Sequence, residues 1–228
     1  MFAYDFHTHI LPEMDDGSPD VVTSVEMIRR LREQGVERIV LTSHYYSENE
    51  SVEEYLARRA AAYERLMAAP EAVEFPPLLL GAEVRLARGM ADCAELKKLC
   101  VEGTRLLLLE FPYLKHADWM MQEVENITYQ LGVVPMLAHV DRFLAWGLVD
   151  KKQLERIIGF EDAIIQINNE AVTDRLTKKF VKRLLKEDFL FVLGSDTHNL
   201  QDRAPNFHLM EDFLRKYDYE QPDLLDEG

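Results

Sequence analysis

Residues 2–9 read Phe2-Ala3-Tyr4-Asp5-Phe6-His7-Thr8-His9, and residues 189–198 read Phe189-Leu190-Phe191-Val192-Leu193-Gly194-Ser195-Asp196-Thr197-His198. Each is an apolar run of strand length that stops on two metal-binding residue types, two positions apart. The apolar part spans 2–6 in the first and 189–194 in the last. Five more such runs lie between, at 37–42, 78–83, 105–111, 133–138 and 163–168. Longer amphipathic segments separate them, at 18–34, 52–69, 91–100, 117–131, 151–158 and 173–187. The segment 18–34 opens on Ser-Pro and has Gly35 just past its end, as helix boundaries prefer. Strand–helix alternation of this kind predicts an α/β fold with a parallel sheet and helices outside it. Seven units point to a closed or nearly closed barrel. An open doubly wound sheet is the alternative, but no Gly-rich dinucleotide fingerprint follows the first run.

The 228 residues suit one such domain, spanning 1–228, with the short acidic tail 217–228 a candidate for disorder. The chain has 26 Lys+Arg against 41 Asp+Glu, a formal net charge of −15. So acidic a protein makes a poor general partner for nucleic acid or for an anionic leaflet. A hydrophobic content of 47% is enough to build a core, which excludes a disordered chain. Cys93 and Cys100 are seven apart in a helix-like stretch, about 10.5 Å of helical rise, too far to bridge. Two reduced cysteines and a start without basic or long apolar character predict a cytoplasmic protein. The apolar runs 78–80 and 106–109 are strand-sized, so no membrane insertion is expected.

In a parallel barrel the active site lies at the C-terminal ends of the strands. The seven runs end in His7-Thr8-His9, Thr42-Ser43-His44, Gly81-Ala82-Glu83, Leu109-Glu110-Phe111, Ala138-His139, Gln166-Ile167-Asn168 and Ser195-Asp196-Thr197-His198. Six of the seven thus finish in His, Asp or Glu, which are rare in a barrel interior unless paired or metal-bound. Side chains two apart on a strand share a side. His7 and His9 can therefore reach one ion, and so can Asp196 and His198. Gln166 and Asn168 also share a side and read as supporting or satisfied polar groups, and Asn199 reads as a supporting one. Asp15-Asp16-Gly17, by itself, reads as a turn. His116 and His208 lie off the strand ends and read as surface or helix-cap groups. Tyr45 and Tyr46 read as pocket mouth or packing. No Cys-x5-Arg signature is present, so cysteine-based phosphatase chemistry is not expected.

These ordered motifs, with Val140-Asp141-Arg142, Asn199 and Arg203, resemble the polymerase-and-histidinol-phosphatase (PHP) superfamily. More narrowly, they resemble the bacterial tyrosine-protein phosphatases of capsular and extracellular polysaccharide operons. The resemblance runs from His7 to about Arg203. Glu110 and Asp16 favour that branch, since histidinol-phosphatase relatives usually have histidines there. The resemblance implies a distorted (β/α)7 TIM-like barrel with three divalent ions, manganese first and iron, zinc or cobalt as alternatives. His7, His9, Glu83 and Asp196 would hold the first ion. Glu83 would bridge to a second, completed by Glu110 and His139, and Asp16, His44 and His198 would hold the third. Three ions and four carboxylates give a site of about +2, matching a phosphate monoester near −2. Arg142 and Arg203 match positions that contact substrate phosphate. The implied activity is hydrolysis of phosphotyrosine on a polysaccharide-assembly tyrosine kinase by a metal-activated hydroxide. A small substrate such as histidinol phosphate or a nucleotide is the alternative. One departure stands out: where some branch members are basic after the second-strand histidine, this chain reads Tyr45-Tyr46-Ser47-Glu48-Asn49-Glu50.

Overall fold

The structure, a computed structural model, describes residues 2–224. In chain order the elements are β1 (Phe2–Thr8), α1 (Val21–Glu33), β2 (Val36–Leu41), β3 (His44–Tyr45), α2 (Val52–Met67), β4 (Leu78–Leu80), β5 (Glu83–Arg85) and β6 (Leu106–Glu110). Then come α3 (Asp118–Leu131), β7 (Val134–Leu137), α4 (Val140–Ala145), α5 (Lys151–Ile158), β8 (Ile164–Asn168), α6 (Arg175–Lys186), β9 (Phe191–Gly194) and α7 (His208–Tyr217). The expected α/β alternation is therefore present, and every strand pair is parallel.

The strands form two sheets, ordered β1-β2-β4 and β3-β5-β6-β7-β8-β9. The third apolar run does not stay one strand. It pairs with β2 as β4, bends at Gly81 and Ala82, and pairs with β6 as β5. Gly81 packs against Val40, where an added Cβ would lie 3.3 Å from Val40 Cγ1. At its C-terminal end, β1 meets the segment after β9. His9 N donates to Thr197 O at 3.0 Å and Asp196 N to His7 O at 2.8 Å.

Alternation along the strands sorts the core into two sets. Tyr4, Phe6, Val40, Leu106, Leu108, Met136, Ile164 and Val192 form one cluster. Ile39, Leu107, Leu109, Leu137, Ile165, Phe191 and Leu193 face the other way, into the larger cluster shared with the helices. Both faces of the sheet are buried, which is why residues 106–109 are leucine throughout.

Local signals explain most element ends. Asp20, not Ser18, caps α1, accepting from Thr23 N at 2.7 Å. Ser18 turns inward, where Ser24 Oγ lies 2.8 Å away. Gly35 follows α1 at φ +85°, a left-handed position that glycine takes without strain. Ser51 and Glu54 make a reciprocal cap on α2, and Asp150 and Gln153 on α5. The helix expected over 91–100 is instead two 3-10 turns, Met90–Asp92 and Ala94–Leu99, broken at the extended Cys93. Leu96 and Leu99, three apart, are both buried, which suits the three-residue repeat of a 3-10 turn. Cys93 and Cys100 are free thiols.

His116 corrects a sequence expectation: it is buried, with its ring edge-on to Phe111 at 4.9 Å. His208 is exposed at the start of α7. Within the tail 217–228, Tyr217 ends α7, and Tyr219 and Gln221 pack on the strands. Tyr219 stacks on Phe191 at 4.4 Å and Gln221 Nε2 donates to Tyr4 O at 3.1 Å. Residues 225–228 lie outside the described residues. No helix among the described residues is long and apolar enough to cross a membrane.

Candidate metal centre

The strand ends bring all nine expected ligand-type residues into one cluster. His7 and His9, from β1 and the residue after it, put their Nε2 atoms 3.2 Å apart. Glu83 Oε2, from the first residue of β5, lies 3.2 Å from both. Asp196 Oδ1 lies 3.6 Å from His7 Nε2 and 3.5 Å from His9 Nε2. His139 Nε2 lies 3.0 Å from Glu83 Oε1 and 3.3 Å from Glu110 Oε1. His44 Nδ1 is 2.9 Å from Glu83 Oε2. Asp16 comes in from the loop after β1, with Oδ1 3.4 Å from His44 Nε2 and 3.6 Å from His198 Nε2. Four overlapping groups result: His9-Asp16-His44-His198, His7-His9-Asp196, His7-Glu83-His139 and His44-Glu83-Glu110, each with its donor atoms within 4.8 Å of one another.

This donor set fits divalent cations. Both carboxylate oxygens of Glu110 are buried without a hydrogen bond, as are Glu83 Oε2 and His198 Nε2. The imidazole nitrogens near Glu83 Oε2 are close but not aligned as hydrogen bonds. A buried carboxylate without a donor is costly, and a cation is what relieves it. Without one, protons take that role. Burial works against charge on His44, but Glu83 and Asp16 raise its pKa to about 11. Burial likewise opposes charge on His9 and His139. Asp15 raises His9 to about 9, and Glu110 and Glu83 raise His139 to about 9 despite Arg142. Asp196 is held well below the usual carboxylate range by His7 and Arg142, against the effect of burial.

A second layer fixes these rings. Asp15, part of a turn by its sequence, is a half-buried residue whose carboxylate turns in beneath the site. Its Oδ2 lies 2.8 Å from His9 Nδ1 and accepts from His44 N at 2.8 Å. Gln166 Oε1 lies 3.0 Å from His7 Nδ1 and accepts from His139 N at 2.7 Å. Asn168 Nδ2 donates to Asp196 Oδ2 at 3.1 Å. Asp5, at the base, accepts from Ser195 N and Oγ at 2.9 and 2.6 Å. Such partners orient metal-binding imidazoles and carboxylates. Both His139 and Asp196 sit at positive φ, +30° and +50°. Strain of this kind gathers at functional sites.

The cluster floors a cleft of about 570 Å³. Arg142, on α4, and Arg203, in the loop after β9, both reach Asp196, the latter at 3.0 Å. Asn199 Oδ1 accepts from Arg203 N at 3.1 Å and so shapes that loop. The sequence reading missed Tyr113 and Trp146. Their rings lie 5.4 Å apart at the cleft, both exposed, and Tyr113 stacks on Phe143 at 5.6 Å. The available signal was an aromatic residue just beyond the fourth strand end, Tyr113, and another at the end of the helix that follows the fifth, Trp146. Tyr46 lines the cleft beside His44, whereas Tyr45 is buried in the core. The acidic stretch after His44 is neutralised: Glu48 pairs with Arg85 and Glu50 with Arg58.

Parallel strands whose ends converge on clustered imidazoles and carboxylates, under two guanidiniums, define an α/β protein with a candidate site for divalent cations. The chain belongs to the capsular polysaccharide synthesis family CpsB/CapC, whose family model matches residues 3–223. It is 29% identical to the tyrosine-protein phosphatase YwqE of Bacillus subtilis (strain 168) over 239 aligned positions, covering 98% of this chain and 89% of that protein. In structure it resembles a crystal structure from a study of YwqE from Bacillus subtilis and CpsB from Streptococcus pneumoniae, described there as unique metal-dependent tyrosine phosphatases. The TM-score is 0.73 at 24% identity, covering 98% of this chain and 88% of that one. A Listeria monocytogenes protein assigned as the histidinol phosphatase hisK shares the fold more distantly. There the TM-score is 0.51 at 16% identity, covering 87% and 96%.

Proposed function

We propose that this chain is a metal-dependent protein-tyrosine phosphatase acting in the cytoplasm on a tyrosine kinase of capsule or exopolysaccharide assembly. It works as one domain, 1–228, on a distorted (β/α)7 barrel. The observation that carries the reading is the meeting of nine ligand-type side chains beneath Arg142, Arg203 and the Tyr113–Trp146 pair. We assign His7, His9, Glu83 and Asp196 to one ion, Glu83, Glu110 and His139 to a second, and Asp16, His44 and His198 to a third. Manganese is the first candidate and iron, zinc or cobalt the alternatives. When bound, such ions supply Lewis-acid polarisation of the phosphoryl group and a water whose pKa falls toward about 7.

The chain's own residues supply the rest. Arg142 and Arg203 can each grip two phosphoryl oxygens, a geometry that guanidinium offers and ammonium does not. Tyr113 and Trp146 present flat apolar faces beside the guanidiniums, where a phenyl ring has room to stack. A phenol of pKa about 10 is a better leaving group than an alkoxide, so the absence of an assigned general acid is tolerable. Phosphotyrosine carries its ring directly on the ester oxygen, so a phosphate under the guanidiniums puts that ring beside the wall; histidinol phosphate sets its imidazole back by an alkyl chain, which favours phosphotyrosine.

The test is turnover by the manganese-loaded protein of a phosphotyrosine peptide, histidinol phosphate and a dinucleotide, with chelator and Asp196→Ala as controls. Peptide hydrolysis lost in both controls supports the reading. Efficient histidinol phosphate turnover with an inert peptide overturns the substrate, and activity that survives both controls overturns the metal chemistry.

A further inference from the structure

A chain of net charge −15 carries one strongly basic element. α6 reads Arg-Leu-Thr-Lys-Lys-Phe-Val-Lys-Arg-Leu-Leu-Lys, with six cations in twelve residues and no carboxylate. Arg183 is held by Glu155 and Glu187. The others, Arg175, Lys178, Lys179, Lys182 and Lys186, make no ion pair among the described residues, and all but the half-buried Lys178 are exposed. Arg175, Lys178, Lys179 and Lys182 line a hollow of about 460 Å³. A second hollow of about 290 Å³, beside it, adds Lys216 and Asp212 from α7, the carboxylate being paired with Arg215.

The position of this strip matters as much as its charge. Thr173 and Asp174 line both the basic hollow and the cleft over the metal cluster. The two concavities therefore adjoin at the start of α6. Asp174, the acidic residue at that junction, is occupied as the helix cap, accepting from Leu176 N at 2.7 Å. A polypeptide whose phosphotyrosine sits under Arg142 and Arg203 has a short path onto the strip.

We propose that the exposed face of α6 is a docking strip for the acidic or multiply phosphorylated flank of the phosphotyrosine polypeptide. This rests on the phosphatase reading and adds to it a specificity determinant outside the cleft. Unpaired cations in an otherwise acidic surface focus attraction on a local negative charge while the rest of the molecule repels bulk anions. That combination suits a tethered acidic segment, which meets the strip only when its phosphotyrosine is in the cleft. It suits an extended anionic bilayer poorly, because such a surface would also face the acidic remainder.

The experiment compares the manganese-loaded wild type with Arg175→Glu/Lys179→Glu/Lys182→Glu, three exposed helix positions that touch neither the cluster nor the cleft. Substrates are a small aryl phosphate, a phosphotyrosine peptide with neutral flanks, and the same peptide with three glutamates on either side. The wild type is expected to prefer the acidic peptide by about tenfold in kcat/KM at low salt. That preference is carried by KM and shrinks as ionic strength passes about 0.15 M. The variant is expected to lose the preference while turning over the aryl phosphate unchanged. A wild type without preference, or a variant that retains it, overturns the proposal. So does a variant whose only loss is co-sedimentation with phosphatidylglycerol vesicles, which would assign the strip to a membrane instead. A wild type that hydrolyses neither the aryl phosphate nor the neutral peptide overturns the phosphatase reading itself, a result distinct from loss of the acidic preference alone.

Discussion

Gly194 shows how a missing side chain positions a candidate ligand, His7. A Cβ there would lie 2.5 Å from His7 Cβ and 2.7 Å from Gln166 Nε2, so β9 approaches β1 only because position 194 is bare. Gly194→Ala must push the strands apart or displace the His7 ring. Overpacking of this kind costs about 1–3 kcal/mol, and a misplacement near 1 Å can cost about a hundredfold in rate. The expected result is a soluble protein with a lowered Tm and phosphatase activity reduced at least tenfold; unchanged kcat/KM would refute the packing argument. Asp15 acts through His9 and the His44 backbone. Asp15→Asn keeps the size but offers only one accepting oxygen, and weakens metal affinity by about 10–100-fold. Metal titration followed by activity checks this, with kcat at saturating metal moving far less than the apparent Kd. Such residues mark the limit of the sequence reading. His7, His9, His44, Glu83, Glu110, His139, Asp196 and His198 were legible because strand ends concentrate chemistry in a parallel fold. Asp15 was not, because Asp-Asp-Gly alone cannot say which carboxylate turns inward.

At the scale of elements, α2 ties down several loops beneath the cleft. Tyr55 OH donates to Ser43 O at 2.7 Å, Arg58 to Met14 O at 3.0 Å, Arg59 to Gly81 O at 2.6 Å and Arg65 to Pro12 O at 3.0 Å. These carbonyls belong to the segments that follow β1, β2 and β4. Tyr55→Phe keeps the buried ring and removes the donor, leaving Ser43 O without it. The expected cost is about 1–3 kcal/mol, a fall in Tm of several degrees for a domain this size. Circular dichroism melting checks it, and an unchanged Tm would show that water takes over the bond. The sequence placed α2 within two residues of its observed end because its cap and its periodicity agree. It failed over 91–100, where charged and apolar residues mimic a helix but Leu96 and Leu99 follow a 3-10 repeat. It also read 78–83 as one strand, because nothing local signals that the run changes sheets at Gly81 and Ala82. The aromatic wall escaped notice for a similar reason: Tyr113 and Trp146 are 33 positions apart and meet only through the fold.

Over the whole molecule, the cluster of imidazoles and carboxylates is expected to couple stability to pH in opposite directions with and without ions. In the ion-free state His9 and His139 titrate near 9 and His44 near 11, against about 6.5 in an unfolded chain. A raised imidazole pKa stabilises the fold fully below about pH 6.5. That contribution fades as pH rises through the folded values. Divalent ions need the same nitrogens unprotonated, so their affinity grows over that window. Protons and metal ions therefore substitute for one another between the strand ends. Ions at a hundred times their Kd add about 2.7 kcal/mol, or roughly 5–10 °C in a domain of this length. The Tm difference between manganese-loaded and chelated protein is accordingly expected to be larger at pH 8.5 than at pH 6.5. Differential scanning fluorimetry at matched ionic strength measures it. A difference that is flat or shrinks with rising pH would mean that these imidazoles are not the groups the ions bind, even if chelation abolishes activity.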